Sequence, residues 1–354
     1  SLHDALPISG RMLLDGGVYL KNDNNFGNGV EFSDLRIGAK VAYQNWDMKL
    51  EIGYTGNKAT IKDAFAKYTY KNHSIQVGQF YEPFSLEMMC STFDIRFNQS
   101  PGAVLALTNG RRMGITYGYR NKRHYMSGGA FMDNEVNNLK KASHGYALDG
   151  RVVYRPVLDS KKLIHIGFAA NYRTPNESLN EEDKNIFIYK SPGVSTIDNR
   201  NIAMATIDHA AYQIKFGTEL LVYYHRFCLQ SEYIRTHVER DNAFKNYVAQ
   251  GAYLQCSWLL SGETYLYDES VACAGRPEGK SLEVCSRFNY LTLNDEDAAI
   301  WGGEQKDISI GLNYYINKYI GIKLNYSYLM PGASIKEISR KNFSVFQGRF
   351  QFIF

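Results

Sequence analysis

The stretch Asn342-Phe-Ser-Val-Phe-Gln-Gly-Arg-Phe-Gln-Phe-Ile-Phe354 closes the chain, and from Phe346 every second residue is Phe, Gly, Phe, Phe and Phe. Between them stand the polar Gln347, Arg349 and Gln351. Side chains alternate across a strand, so this segment presents aromatics on one face and polar groups on the other. That is the pattern of a strand touching hydrocarbon on one side and water on the other. A soluble strand alternates too, but it rarely places its bulkiest residue at the very end of the apolar face.

Composition agrees with this reading. The chain has 354 residues, 14% of them aromatic, with 27 Tyr against 3 Trp, 30 Gly and only 8 Pro. Mean hydropathy is negative, and no stretch approaches the roughly 18 apolar residues of a membrane helix. Membrane barrels escape hydropathy scans because every other residue faces the lumen. A formal net charge of +4 without a basic block gives no basis for nucleic-acid binding. The five cysteines, Cys90, Cys228, Cys256, Cys273 and Cys285, show neither CxxC nor a histidine at ligand spacing, so no metal or cofactor is expected. Their odd number argues against a complete disulfide framework. Pairing of Cys273 with Cys285 across a loop is one arrangement and free thiols are the other.

Residues 1–9 (SLHDALPIS) carry neither the basic start and apolar core of a signal peptide nor the alternation of a strand. They read as a translated sequencing adapter joined to a truncated frame. Residues 1–9 are therefore set apart as a non-native leader, with the true signal peptide upstream, and 10–354 is taken as one domain.

Alternation marks about sixteen segments and no helical period. They fall near 10–21, 30–43, 46–55, 60–71, 73–80, 112–119, 124–133, 144–154, 163–173, 211–224, 227–239, 247–260, 282–292, 306–315, 319–330 and 343–354. Gln44-Asn45, Lys71-Asn72, His225-Arg226 and Asn317-Lys318 are tight connections, whereas 81–111, 133–143, 174–210 and 331–342 are long. Tight turns on one side of a membrane and long loops on the other are the habit of transmembrane barrels. With both termini on the turn side, the strand before each tight turn must run downward, and sixteen strands satisfy this at all four turns. The fold class is therefore all-β: a transmembrane antiparallel β-barrel of about sixteen strands. The same parity places 261–281 on the turn side, where it is long for a turn.

From residue 10 to 354 the chain resembles the phosphate-selective porin O and P family of outer-membrane porins. The resemblance rests on Gly10-Arg-Met-Leu-Leu-Asp-Gly16, Leu35-Arg-Ile-Gly38, Trp46-Asp-Met-Lys-Leu-Glu51, Ile61-Lys-Asp-Ala-Phe65 and Val77-Gly-Gln-Phe-Tyr-Glu-Pro-Phe-Ser-Leu-Glu87. Further along it rests on Gly110-Arg-Arg-Met-Gly114, Ser281-Leu-Glu-Val-Cys-Ser-Arg-Phe288 and Gly311-Leu-Asn-Tyr-Tyr315. It implies a Gram-negative outer membrane, a homotrimer and a constriction lined by Arg and Lys that passes small anions. It also implies a long third loop folded into the lumen, opened by Pro83-Phe-Ser-Leu-Glu87 and closed by Gly110-Arg111-Arg112. Independently, an excursion over 81–111 rich in Phe, Met and Pro is poorly suited to dangle in water. An aromatic C-terminal strand of this kind is read by the barrel-assembly machinery of such bacteria, through Phe354.

If the apolar parity faces lipid, the other parity faces the lumen. That places Arg36, Lys40, Lys49, Arg151, Lys215, Arg287, Lys323 and Arg349 inside, with Arg111 and Arg112 at the end of the constriction loop and Arg349 on a wide part of the wall. One reading makes them an anion path, because fixed cations lower the barrier for phosphate or carboxylate, and guanidinium matches an oxyanion. The other makes them wall supports, because Asp47, Glu51, Asp149, Glu219, Glu232 and Glu283 share their parity and would pair with them across strands.

Catalysis requires converging groups. The chain has no GxSxG, HExxH or Gly-rich phosphate loop, and His124, His144, His165, His209, His225 and His237 are scattered. The sequence therefore reads as a channel and not an enzyme: an outer-membrane porin for passive diffusion of small hydrophilic solutes with a preference for anions. The alternative is a structural barrel with a plugged lumen in a larger envelope assembly. On that alternative, the acidic stretch Asn176, Glu177, Asn180, Glu181, Glu182 and Asp183 is a candidate partner surface.

Overall fold

The computed structural model describes residues 8–21, 23–55, 58–133, 143–177, 185–198, 200–241, 243–332 and 341–354. Its wall begins with β1 (Ile8–Leu20), β2 (Gly29–Tyr43), β3 (Trp46–Thr55), β4 (Lys58–Tyr70), β5 (His73–Tyr81), β6 (Arg111–Arg120), β7 (His124–Met132), β8 (Tyr146–Leu158) and β9 (Lys162–Arg173). It continues with β12 (Ala210–Tyr224), β13 (Phe227–Arg240), β14 (Tyr247–Ser261), β17 (Ser281–Asp295), β18 (Ile300–Tyr315), β19 (Ile320–Pro331) and β20 (Phe343–Ile353). These sixteen strands close into one antiparallel barrel. The seam joins β1 to β20, with Leu14 opposite Phe350 and Asp15 opposite Arg349. Closure leaves no unpaired strand edge, which a bilayer would not tolerate. No described helix is long and apolar enough to cross a membrane.

Alternation produces the two faces. Ile308, Ile310 and Leu312 on β18, Ile322, Leu324 and Tyr326 on β19, and Phe346 and Phe350 on β20 point outward and are exposed. Their neighbours Asp307, Ser309, Lys323, Asn325, Gln347 and Arg349 point inward and are buried. The tight turns at Gln44, Lys71 and His225 use left-handed backbone (φ 53°, 53° and 54°). Such conformations match the right-handed twist of a two-residue hairpin. At the seam, the backbones of Gly10 and Phe354 exchange hydrogen bonds of 3.0 and 3.1 Å. The Phe354 ring lies exposed on the outer face.

Three departures from the sequence expectations are instructive. Ile8 and Ser9 belong to β1, pairing with Ala39 and Gly38, because a short strand end can be completed by its neighbour without alternation of its own; residues 1–7 lie outside the described residues. The long segment after β9 carries a hairpin, β10 (Phe187–Ser191) with β11 (Ala203–Ile207), and the long turn after β14 carries another, β15 (Tyr265–Asp268) with β16 (Cys273–Pro277). Both pack inside the barrel. The candidate partner surface around Asn176 is described only at Asn176 and Glu177; Asn180, Glu181, Glu182 and Asp183 lie outside the described residues.

The third long loop, 82–110, folds into the lumen, as expected. It carries α1 (Leu86–Met89) and α2 (Gly102–Leu107). Gly78, on the strand that feeds it, has φ +132°, and a Cβ there would lie 2.2 Å from the Ala64 carbonyl oxygen. α2 sits against the wall at Gly251, where a Cβ would meet that of Ala103 at 2.7 Å. Val104, Ala106 and Leu107 of α2 pack with Phe187, Tyr189, Ala205 and Ile207 of the β10–β11 hairpin, and with Tyr247, Tyr253 and Leu291 of the wall. The lumen beside β12–β20 is thus a packed core.

Candidate permeation pathway

Two groups of charged side chains occupy the inside, and they do different things. On the filled side, cations hold the loop. Arg287 donates from Nη1 to the Gln99 carbonyl at 2.8 Å, and its guanidinium lies 4.5 Å from the Phe97 ring centroid. Lys323 Nζ donates to the Phe93 carbonyl at 3.4 Å and to that of Ile95. Arg349 grips Asp15 with two bonds of 2.6 Å and donates at 2.7 Å to the Asn98 carbonyl. From the loop itself, Arg96 pairs with Glu283 at 2.9 Å and donates to the Gly275 carbonyl at 2.9 Å. Irregular backbone buried inside the barrel needs partners for its carbonyls, and these side chains supply them. The Glu232 carboxylate does the converse, accepting the first amides of α1, Leu86 at 3.0 Å and Glu87 at 2.8 Å.

Arg151 pairs with Glu219 at 2.9 Å and donates to the carbonyls of Val271 and Ala272, both at 2.7 Å, anchoring the turn-side hairpin. His165 lies between that same Glu219 and Tyr267 at 3.1 and 2.9 Å, a support and not a catalytic pair. Lys215 donates to Asn109 at 3.0 Å. Arg151, Lys215, Arg287 and Lys323 are 0%, 2%, 3% and 0% exposed. All four face inward; Arg151, Arg287 and Lys323 are taken up by loop and hairpin backbone, which corrects that part of the sequence expectation, whereas Lys215 borders a cavity towards the loop end. Arg349 is likewise buried and not on a wide wall. The alternation gives a side chain's direction and not what covers it.

The open side lies against β2–β7. A cavity of about 340 Å³ there is lined by Lys40, Lys49, Lys67 and Arg120, by Asp47 and Asp63, and by His73. Its apolar lining includes Phe65 and Tyr81. Behind it runs a band of ion pairs. Arg36 holds Asp34 at 2.5 Å and Glu51 at 2.8 Å, Lys49 holds Asp63 at 2.6 Å and Glu51 at 3.2 Å, and Arg111 holds Asp63 at 2.5 Å. Arg111 also stacks over Tyr81, 4.0 Å from its ring centroid. The register sets Tyr81 opposite Arg111 and Phe80 opposite Arg112, so both arginines stand where the loop leaves and rejoins the wall. Arg112 pairs with Asp133 at 3.1 Å, and Asp133 is shared with Arg173, which also pairs with Glu82. Burial works to raise the Asp133 carboxyl, but Arg173 and Arg112 beside it hold it below the usual range. Arg112, Arg173 and Lys215 border a second cavity of about 310 Å³ towards the loop end.

In the first cavity the carboxylates are all engaged: Asp47 with Lys40 at 3.2 Å, and Asp63 with Lys49 and Arg111. Lys67 and Arg120 have no ion pair within 4.0 Å among the described residues. Lys67 stands opposite Asp47 in the β3–β4 register, but the Asp47 carboxylate is taken by Lys40. The sequence reading missed both residues. For Lys67 the available signal was an inward cation opposite an acid that another lysine claims; Arg120 stands opposite Tyr125 and carried no such signal.

A closed sixteen-stranded barrel with an apolar outer face and a loop held inside by buried ion pairs is a transmembrane porin. Solved porins share its architecture. The chain superposes on in-vitro folded OmpT of Vibrio cholerae with a TM-score of 0.62 at 9% identity, covering 99% of this chain and 97% of that one. It superposes on the anion-selective porin from Comamonas acidovorans with a TM-score of 0.62 at 11% identity, covering 99% of each chain. The chain belongs to the family "Phosphate-selective porin O and P", which matches residues 8–354. Relatives include an uncharacterized protein of Caulobacter vibrioides, 25% identical over 330 residues and 87% of this chain, and Porin O of Pseudomonas aeruginosa, 22% identical over 366 residues and 90% of this chain. The chain spans 64% of the length of the former and 81% of the latter. It is an outer-membrane porin of Gram-negative bacteria.

Proposed function

We propose that this porin conducts small hydrophilic solutes with a preference for anions, and that the selectivity resides on the β2–β7 side of the lumen. The observation that carries this is the charge left over in the larger cavity: both carboxylates are ion-paired, whereas Lys67 and Arg120 have no ion pair among the described residues. In a narrow, low-dielectric passage an uncompensated fixed charge acts strongly on a permeating ion. Pairing makes Arg36, Lys49, Arg111 and Arg112 poor partners for a passing oxyanion; their role is to hold the band where the loop meets the wall. Lys40, with a side chain 56% exposed, adds a solvated charge at the turn end. Phosphate and other oxyanions fit this lining, and the anion-selective Comamonas porin supports the direction of the preference.

The same reading takes the protein as a channel and not an enzyme, as its family and fold favour. It takes it as a homotrimer, as in the trimer form of Vibrio cholerae OmpT, assembled by machinery that recognises the exposed Phe354. A structural barrel with a closed lumen is the second reading, favoured by the loop and two hairpins that fill the β12–β20 side. Planar-bilayer recording separates the two. Stepwise currents and a zero-current potential of anionic sign, with phosphate and chloride compared under a salt gradient, support the first reading. The absence of steps supports the second.

A further inference from the structure

Outward positions of the wall are apolar or aromatic on strands such as β3 (Trp46, Met48, Leu50, Ile52, Tyr54) and β8 (Tyr146, Leu148, Val152, Tyr154), all of them exposed. Two exposed cations break this pattern elsewhere: Arg235 on β13 and Lys306 on β18, each in the outward parity of its strand. They occupy adjacent rows of the register. Arg235 faces Gln250, while in the next row Tyr233 faces Ala252, Ala252 faces Tyr290 and Tyr290 faces Lys306. Strands β14 and β17 stand between the two cations, and both side chains lean over that interval. Arg235 Nη1 donates to Gln250 Oε1 on β14 at 3.4 Å, and Tyr233 Oη donates to the same oxygen at 2.8 Å. Lys306 Nζ lies 5.7 Å from the Tyr290 ring centroid on β17. Neither cation has an ion pair within 4.0 Å among the described residues. The nearest acids on the same faces are engaged elsewhere: Glu239 with Asn246 at 2.7 Å and His237 at 3.3 Å, and Glu304 with Thr292 at 3.4 Å.

We propose that this part of the outer wall binds a phosphorylated lipid headgroup of the outer leaflet, with Arg235 and Lys306 as its cationic contacts. The height of the two residues points to that zone. β13 rises from the tight turn at His225-Arg226, and β18 descends to the one at Asn317-Lys318. Each cation stands eight residues above a turn-side aromatic: 235 less 227 for Arg235 and Phe227, and 314 less 306 for Tyr314 and Lys306. At about 3.4 Å per residue along strands tilted about 40°, that is a height of roughly 20 Å, towards the top of an apolar band about 25 Å tall. Short turns are periplasmic and long loops extracellular in such barrels, so the top of the band meets the outer leaflet. A cation there finds its counter-charge in lipid phosphate, and the planar guanidinium fork suits an oxyanion. Tyr233 and Tyr290 fit the same level, because a tyrosine ring settles with its apolar body in hydrocarbon and its hydroxyl among headgroups. Ala252 between them keeps the floor of the site low. Two cations select an anionic headgroup over a zwitterionic one, and the apolar outward positions of β3 and β8 make this a local site and not a basic girdle.

The test is native mass spectrometry of the whole protein in nonionic detergent, stripped of co-purifying lipid. The probes are lipid A carrying both phosphates, the phosphorylated glycolipid anchor of that leaflet, and its dephosphorylated form. Wild type is expected to retain the phosphorylated form and to hold the dephosphorylated form far more weakly. Arg235→Gln with Lys306→Gln should weaken binding of the phosphorylated form about thirtyfold, taking roughly fivefold for each basic residue near an anionic lipid surface. Both side chains are exposed, so this variant should fold, and heat-modifiable gel mobility checks that it does. Arg235→Lys with Lys306→Arg keeps both charges and should bind close to wild type, which separates lost charge from local damage. Equal retention of the two lipids by wild type overturns the proposal, and so does an unchanged affinity in the glutamine variant. Loss of the oligomer in that variant with lipid binding unchanged also overturns it, and would assign the cations to a contact between copies of the chain. None of these results depends on which ions the channel prefers.

Discussion

Replacing Arg349 by Met keeps most of the side chain's length and removes its charge, at a point where three parts of the molecule meet. Arg349 on β20 holds Asp15 on β1 across the barrel seam through two bonds of 2.6 Å, and the Asn98 carbonyl of the constriction loop through one of 2.7 Å. Asp15 and Arg349 are each 3% exposed. Removing one partner of a buried pair leaves the other as an uncompensated charge, at a cost of about 3–5 kcal/mol. The loop carbonyl also loses a charged donor, of the kind worth about 1.5–3 kcal/mol. The two effects overlap in one residue and do not add. The expected loss is therefore about 3–5 kcal/mol, read from urea unfolding in lipid vesicles with heat-modifiable gel mobility as a second probe. The double variant Asp15→Asn with Arg349→Met should recover part of it, because no buried carboxylate is then stranded. Selectivity should not change, since Arg349 does not line the passage. A loss below about 1 kcal/mol, the scale of an exposed ion pair, would refute the assignment of Arg349 as a support.

Deleting Phe354 should impair assembly, because it removes the exposed terminal ring and the two backbone hydrogen bonds between Gly10 and Phe354 that end the seam. Normal membrane levels of the deletion variant, judged by heat-modifiable mobility, would contradict this. For Glu87, in the loop, burial pushes the carboxyl above its ordinary value of 4.5, against the opposing pull of Arg287 and of the Gln230 hydrogen bond. A raised folded-state value means that Glu87 contributes fully below the unfolded value and that this contribution is lost as pH rises through the folded value. Glu87→Gln should therefore be near neutral at about pH 4 and stabilising at about pH 8. The same midpoint difference at both pH values would show that the carboxyl is not held neutral.

Much of the fold was legible because a barrel wall writes itself locally. The alternation in Ile308 to Tyr314 and in Phe346 to Phe354, and the four tight turns, fixed strand count, parity and closure without long-range information. The inward loop was legible because Phe84, Leu86, Phe93 and Phe97 have no place in water, and all are buried. What alternation could not convey is whether an inward residue meets water or protein. Lys323 and Lys67 look alike in sequence, each a lysine of inward parity. One is buried under the loop and donates to two of its carbonyls; the other lines a cavity and has no ion pair among the described residues. The difference comes from the two hairpins and the loop settling on the β12–β20 side, a tertiary event with no local period. The seam pair Asp15–Arg349 was hidden for the same reason, its partners standing at opposite ends of the chain.

The central claim is that unpaired cations on the open side set selectivity while buried cations on the filled side hold the loop. The most direct test is the zero-current potential across a planar bilayer under a salt gradient, recorded for wild type, for Lys67→Glu with Arg120→Glu, and for Arg349→Met. The account predicts an anionic potential for wild type, a shift towards cation preference for the double charge reversal, and a potential close to wild type for Arg349→Met. A double reversal that leaves the potential unchanged, or an Arg349→Met channel that shifts it as far, would contradict the account.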